Sequence, residues 1–75
     1  MPIELIALLK LFESSTRPLT ARKITDKMDT YPATALRRVE RLQAELAKNP
    51  KGKQIRETQY REGKRGPVSR AWVLS

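Results

Sequence analysis

The chain has 75 residues, a length that suits one domain over residues 1–75 and buries only about 60% of its unfolded surface. It has no Cys and no His, so disulfides, thiolate metal sites, the commonest zinc ligand and the commonest general base are all missing. Its eight acidic residues are scattered, and the expectation is a protein that is not an enzyme and carries no metal or cofactor.

The net charge is +8 and it is uneven. Residues 1–16 hold one Lys and two acids, a net of −1, whereas residues 17–75 hold fifteen Lys and Arg against six acids, a net of +9. Such asymmetry points to a polyanionic partner on the C-terminal side. No apolar run is long enough to span a bilayer and nothing resembles a signal peptide. The expected setting is therefore cytoplasmic, with no membrane partner and no small-molecule ligand evident.

Pro2 is tolerated in a first helical turn, and Ile3 to Ser14 reads as a first helix. Its apolar residues Ile3, Leu5, Ile6, Leu8, Leu9, Leu11 and Phe12 cover more than one stripe at about 100° per residue. Two accounts fit this breadth. One is burial against the other helices and a hairpin. The other is a homodimer through the first helix, with Leu5 or Leu8 on whichever face is exposed.

SSTRP, residues 14–18, is a loop, and Arg17 before Pro18 favours extended backbone. RPLT can form a short extended segment that pairs later as a third strand. Thr20 is a good N-cap for a second helix, Ala21 to Met28. Ile24 and Met28 give that helix a core stripe, leaving Arg22, Lys23 and Lys27 mostly outward. Asp29-Thr30-Tyr31 is a tight turn without the usual glycine. Thr30 or Tyr31 caps a third helix that carries Pro32 in its first turn and runs to about Ala47. Ala35, Val39, Leu42 and Leu46 form its buried stripe and Leu36 borders it. Asn49-Pro50 ends it, with Asn suited to a left-handed C-terminal conformation.

Gln54 to Arg61 and Val68 to Leu74 read as two strands joined by EGKRGP, residues 62–67. Residues 51–70 hold seven cations against Glu57 and Glu62, a net of +5. Trp72 reads as a core anchor rather than a base-stacking platform.

The third helix carries Arg37, Arg38 and Arg41 on its outer side behind a tight turn, the arrangement by which many small proteins reach the DNA major groove. Arg37 and Arg41 share a face at i, i+4, while Arg38 is rotated by about 100° from Arg37, so that one of these two is placed for a phosphate rather than a base edge. Arginine suits both tasks, because its planar fork pairs with phosphate or with guanine O6 and N7. Thr34 is placed for a thymine methyl or a phosphate. Glu40 can pair with neighbouring arginines, and Glu45 with Arg41.

The order of two helices, a turn, a third helix and a hairpin resembles the winged helix-turn-helix family over almost the whole chain. The most specific parts are LTARKITDKM followed by TALRRVERLQAEL, with its Arg41-Leu42 pair, and the closing strand SRAWVLS. The resemblance implies an α+β fold: three helices followed by a two-stranded β-hairpin wing. It further implies sequence-specific binding of double-stranded DNA by a homodimeric transcription regulator. By position, Tyr31, Thr34, Arg37, Arg38 and Arg41 would face DNA from the third helix, and Arg61, Lys64 and Arg65 would sit at the wing tip. One subfamily that binds Z-form nucleic acid has a tryptophan like Trp72. It uses Asn and Tyr where this chain has Leu36 and Glu40, a departure that speaks against Z-form binding. The rival is a protein-interaction winged helix of a transcription or replication complex, which needs no such positive charge.

Overall fold

A computed structural model of the chain describes residues 1–61 and 63–75. Its elements in order are α1 (Ile3–Ser14), β1 (Leu19–Thr20), α2 (Ala21–Met28), α3 (Pro32–Ala47), β2 (Ile55–Arg61) and β3 (Val68–Leu74). The fold is α+β, with three helices and a three-stranded antiparallel sheet in the order β1-β3-β2. The expected two-stranded hairpin is thus one strand short. The extended backbone ahead of Thr20 pairs with the last strand, Leu19 opposite Trp72 and Thr20 opposite Ala71. Pro18 already holds Arg17, just ahead of this segment, in extended backbone.

The starts of α1 and α2 and the end of α2 have local causes. In α1 the carbonyl of Pro2 accepts from the amides of Leu5 and Ile6 at 3.0 and 3.1 Å. The Ser15 hydroxyl donates to the Arg17 carbonyl at 2.8 Å and fixes the loop that follows. Thr20 caps α2, its hydroxyl accepting from the Lys23 amide at 3.1 Å.

α2 ends at Asp29, which has φ 51°. The Thr30 amide then donates to the Thr25 carbonyl at 3.1 Å, the closing bond of a left-handed C-terminal cap. Aspartate stands where glycine is commonest, and it holds the turn that sets α3 against α2.

α3 starts on Pro32 with Tyr31 as its N-cap, but it ends differently from the expectation. Asn49 is not left-handed, since Asp29 is the one non-glycine residue with positive φ among those described. Instead the Gln54 side-chain amide donates to the carbonyls of Leu46 and Asn49 at 2.8 and 2.9 Å. It satisfies acceptors that a helix C-terminus leaves open. Gln54 also exchanges two backbone bonds of 2.9 Å with Ser75, so the helix end is tied to the mouth of the hairpin.

One apolar cluster joins every layer: Leu5, Leu8 and Phe12 of α1, Leu19 of β1, Ile24 of α2, Ala35, Val39 and Leu42 of α3, Ile55 of β2 and Trp72 of β3. Leu46, expected in the buried stripe, is half-buried at the edge of this cluster. Trp72 is 3% exposed and belongs to the core. β2 and β3 are paired from Ile55 opposite Leu74 to Arg61 opposite Val68, and their tip-proximal residues are mostly exposed. The radius of gyration is 12.1 Å, somewhat above the roughly 11 Å expected at this length, as a projecting hairpin requires.

The breadth of apolar residues on α1 is largely explained by this core. Leu5 and Leu8 are 1% and 0% exposed, so neither lies on a free face. Leu9 and Leu11 pack partly against the cluster. The apolar surface that remains at this end is Met1, Ile3 and Ile6, at 55%, 82% and 39% exposure.

Candidate nucleic-acid interface

The core line of α3 runs through Ala35, Val39 and Leu42, each fully buried. Counting about 100° per residue from Ala35, Arg37 lies about 200° round, on the outermost line of the helix. Arg41 falls about 240° round, next to Arg37, as their i, i+4 spacing requires. Arg38 returns to about 60° from the core line, and it is accordingly half-buried, while Arg37 and Arg41 are exposed. Thr34 is half-buried, and Tyr31, at the helix start, is 78% exposed.

Arg41 differs from Arg37 in its partner. Its guanidinium lies 3.8 Å from Glu4 of α1, because α3 packs across the first turn of α1. Glu45, expected to pair with Arg41, pairs with Lys48 at 3.1 Å. Neither Arg37 nor Arg38 forms an ion pair with a described residue. Glu40 forms no ion pair with a neighbouring arginine either; its charge acts on Arg70 from a greater distance.

The wing begins at a rigid base. Arg70 donates from Nε and a terminal nitrogen to one Glu57 carboxylate oxygen, at 3.1 and 2.5 Å. The two residues are offset by two pairs along the ladder, in which Arg70 opposes Gln59 and Glu57 opposes Trp72. The Arg70 guanidinium carbon also stands 5.4 Å from the centroid of the Trp72 ring, within cation–π range. The hydrogen bond and the charge of Glu57 raise the already high pKa of Arg70. Its positive charge is thus permanent but partly spent on Glu57.

Beyond this base, Arg61 closes β2, and Lys64 and Arg65 occupy the loop to β3; all three are exposed. Gly63 has φ +85° with nothing within 4 Å of where a Cβ would stand. The tip therefore needs glycine for its backbone conformation, not for space.

Between α2, α3 and the wing runs an open cleft of about 470 Å³ whose walls include Arg22, Leu36, Pro67, Arg70 and Trp72. It brings the helical side and the wing side of the candidate interface together. Arg22 and Arg70 belong to this cleft but not to the residues singled out from sequence. Arg22 could have been found from its place one residue after Ala21, at the N-terminus of a capped helix. The role of Arg70 depends on cross-strand register, which the sequence does not state. Tyr31, Thr34, Arg37, Arg38 and Arg41 all lie on the first three turns of α3 or its cap, and Arg61, Lys64 and Arg65 cluster at the other end of the surface.

Among the described residues no cluster of His, Cys, Asp and Glu could hold a metal ion, and no helix is long and apolar enough to cross a membrane. In comparisons with protein families, curated proteins and solved structures, nothing matches this chain.

Proposed function

We propose that the protein is a winged helix-turn-helix DNA-binding domain that recognises specific double-stranded sequences and regulates transcription. In this reading α3 enters the major groove and the tip between β2 and β3 meets backbone or minor groove. One observation carries it. Arg37 occupies the outermost line of a helix set behind a tight turn, and no acid among the described residues neutralises it. A bidentate arginine in that position reads guanine O6 and N7. Arg38 and Arg41 flank it, suited to the phosphates on either side, and Tyr31 and Thr34 stand at the helix entrance. Arg61, Lys64 and Arg65 supply the charge of the wing.

The partner is double-stranded DNA, bound by a homodimer through the outer face of α1. Ile3 and Ile6 replace Leu5 and Leu8 as its contact residues, since the latter two are core. Two copies would address half-sites about 34–36 Å apart. The exposed Ile3 also favours the rival reading, an interaction module of a transcription or replication complex. The net charge of residues 17–75 weighs against the rival, because a protein partner requires no such excess of cations.

The decisive experiment is selection of bound sequences from a random duplex pool. A palindromic consensus supports both the specificity and the symmetry. Recovery of unselected sequences, or no retention at all, overturns the reading in favour of the interaction module.

A further inference from the structure

A second cleft, which the β2–β3 hairpin lines with Tyr60 and Gly63, shares no lining residue with the cleft at Leu36 and Arg70. It measures about 490 Å³, within the range of small-molecule sites. Its walls are of two kinds. Arg17, Lys23 and Lys27 bring three cations, and Leu11, Pro18 and Tyr60 bring apolar and aromatic surface. None of the described residues that line it is acidic.

The cations sit there for structural reasons. Lys23 and Lys27 are spaced i, i+4 on the exposed face of α2. Such a like-charged pair is mutually repulsive, and neither lysine forms an ion pair with a described residue. Arg17 joins them because the loop after α1 is fixed. The Ser14 hydroxyl donates to the Leu11 carbonyl at 3.1 Å and the Ser15 hydroxyl to the Arg17 carbonyl at 2.8 Å. Tyr60 reaches the cleft from the penultimate position of β2 and is half-buried there. An anion set between the cations would relieve their repulsion, and an aromatic ring set beside Tyr60 would cover its exposed face.

The geometry points to a nucleotide site: the phosphate of a nucleoside monophosphate unit lies on Lys23, Lys27 and Arg17, and its base lies against Tyr60. Stacking on an aromatic side chain tolerates any base, since every base has a π-face. The site does not depend on α3 or on duplex recognition. The same chemistry is offered by a free mononucleotide and by an unpaired nucleotide of a strand.

The test follows the backbone amide resonances of the residues that line the cleft, in the full chain, by NMR. The probes are thymidine 5′-monophosphate, a short oligothymidylate and inorganic phosphate. The expected result is a saturable shift with the mononucleotide, the oligothymidylate or both, and the pattern names the source. The double variant Lys23→Gln, Lys27→Gln should weaken that binding by about tenfold or more with the Trp72 fluorescence of the core unchanged. Tyr60→Leu should weaken it by about tenfold, as the loss of one stacked base implies, while Tyr60→Phe keeps it. Arg37→Ala should leave it unchanged, so that failure here is distinct from failure of duplex recognition. No saturable shift with either nucleotide probe overturns the proposal, as does full affinity in the lysine double variant. Equal affinity for inorganic phosphate overturns it too, because the base would then contribute nothing.

Discussion

Replacing Lys64 and Arg65 together by Ala removes two charges from the wing tip and nothing from the core. Both side chains are exposed and neither is bonded to a described residue. Stability should accordingly change by no more than about 0.5 kcal/mol. Binding is another matter. Each phosphate that is no longer neutralised lowers the slope of log K against log salt by about 0.9, so two such phosphates lower it by about 1.8. Between 50 and 200 mM salt the concentration rises fourfold, about 0.6 in the logarithm. The unaltered protein should therefore lose about twelvefold more affinity than the variant over that range. Fluorescence anisotropy on one labelled duplex at four or five salt concentrations measures this directly. The same change should appear on any duplex sequence, because phosphates carry no sequence information. Parallel salt dependences would refute the reasoning and remove the wing tip from the interface.

Arg37→Ala should cost about 1–3 kcal/mol at a selected site and relax one base position; competition against single-base variants checks it, and an equal loss on every sequence would make Arg37 a phosphate contact. Asp29→Gly should stabilise the fold by about 0.5–1 kcal/mol, because the left-handed conformation strains a Cβ-bearing residue and a carboxylate opposes the C-terminal helix dipole. The gain exceeds the entropy cost of glycine. Thermal unfolding would then shift upward by about 2–8 °C, and a downward shift would mean that the Asp29 side chain helps to hold the turn. Ile3→Glu with Ile6→Glu should convert the proposed homodimer to a monomer without unfolding it, whereas Leu5→Glu or Leu8→Glu should unfold the chain. Light scattering and circular dichroism separate these outcomes, and a monomeric unaltered protein at tens of micromolar would exclude the α1 dimer.

The elements are legible in the sequence because each is bounded by residues with a strong local preference. Pro2, Thr20 and Pro32 start helices, and the spacing of Ala35, Val39 and Leu42 gives the buried side of α3 directly. The end of α3 is not legible in the same way. Asn49-Pro50 suggests a local cap, but Gln54 supplies the bonds from eight residues beyond Leu46, and only the folded hairpin brings it there. The partner of Arg41 is hidden for a similar reason. Sequence offers Glu45 one turn away, whereas tertiary packing delivers Glu4 from the other end of the chain. Arg37 and the tip cations can be named from sequence because exposure follows from helical spacing and turn chemistry. The cation–aromatic cleft of Lys23, Lys27 and Tyr60 cannot, since its lining comes from α1, β1, α2, β2 and the loops beside them.

The three ion pairs among the described residues shape where positive charge is available. Glu4 holds Arg41 at the α1 side of α3, Glu45 holds Lys48 at its end, and Glu57 holds Arg70 at the base of the wing. Exposed pairs of this kind add little stability, so their larger effect is on the field. They leave three groups without an ion pair to a described residue: Arg37 and Arg38 on α3, Lys64 and Arg65 at the hairpin tip, and Arg17, Lys23 and Lys27 at the second cleft. In the proposed function a duplex meets the two groups on either side of the Leu36–Trp72 cleft, the outer line of α3 and the end of the hairpin. On that proposal the helix and the hairpin tip address one duplex in two grooves, or across one groove and its backbone. A uniformly basic surface would hold the duplex in many registers. Charge gathered in a few separate groups favours few of them, and in the proposed function base contacts from Arg37 discriminate only when the register is fixed.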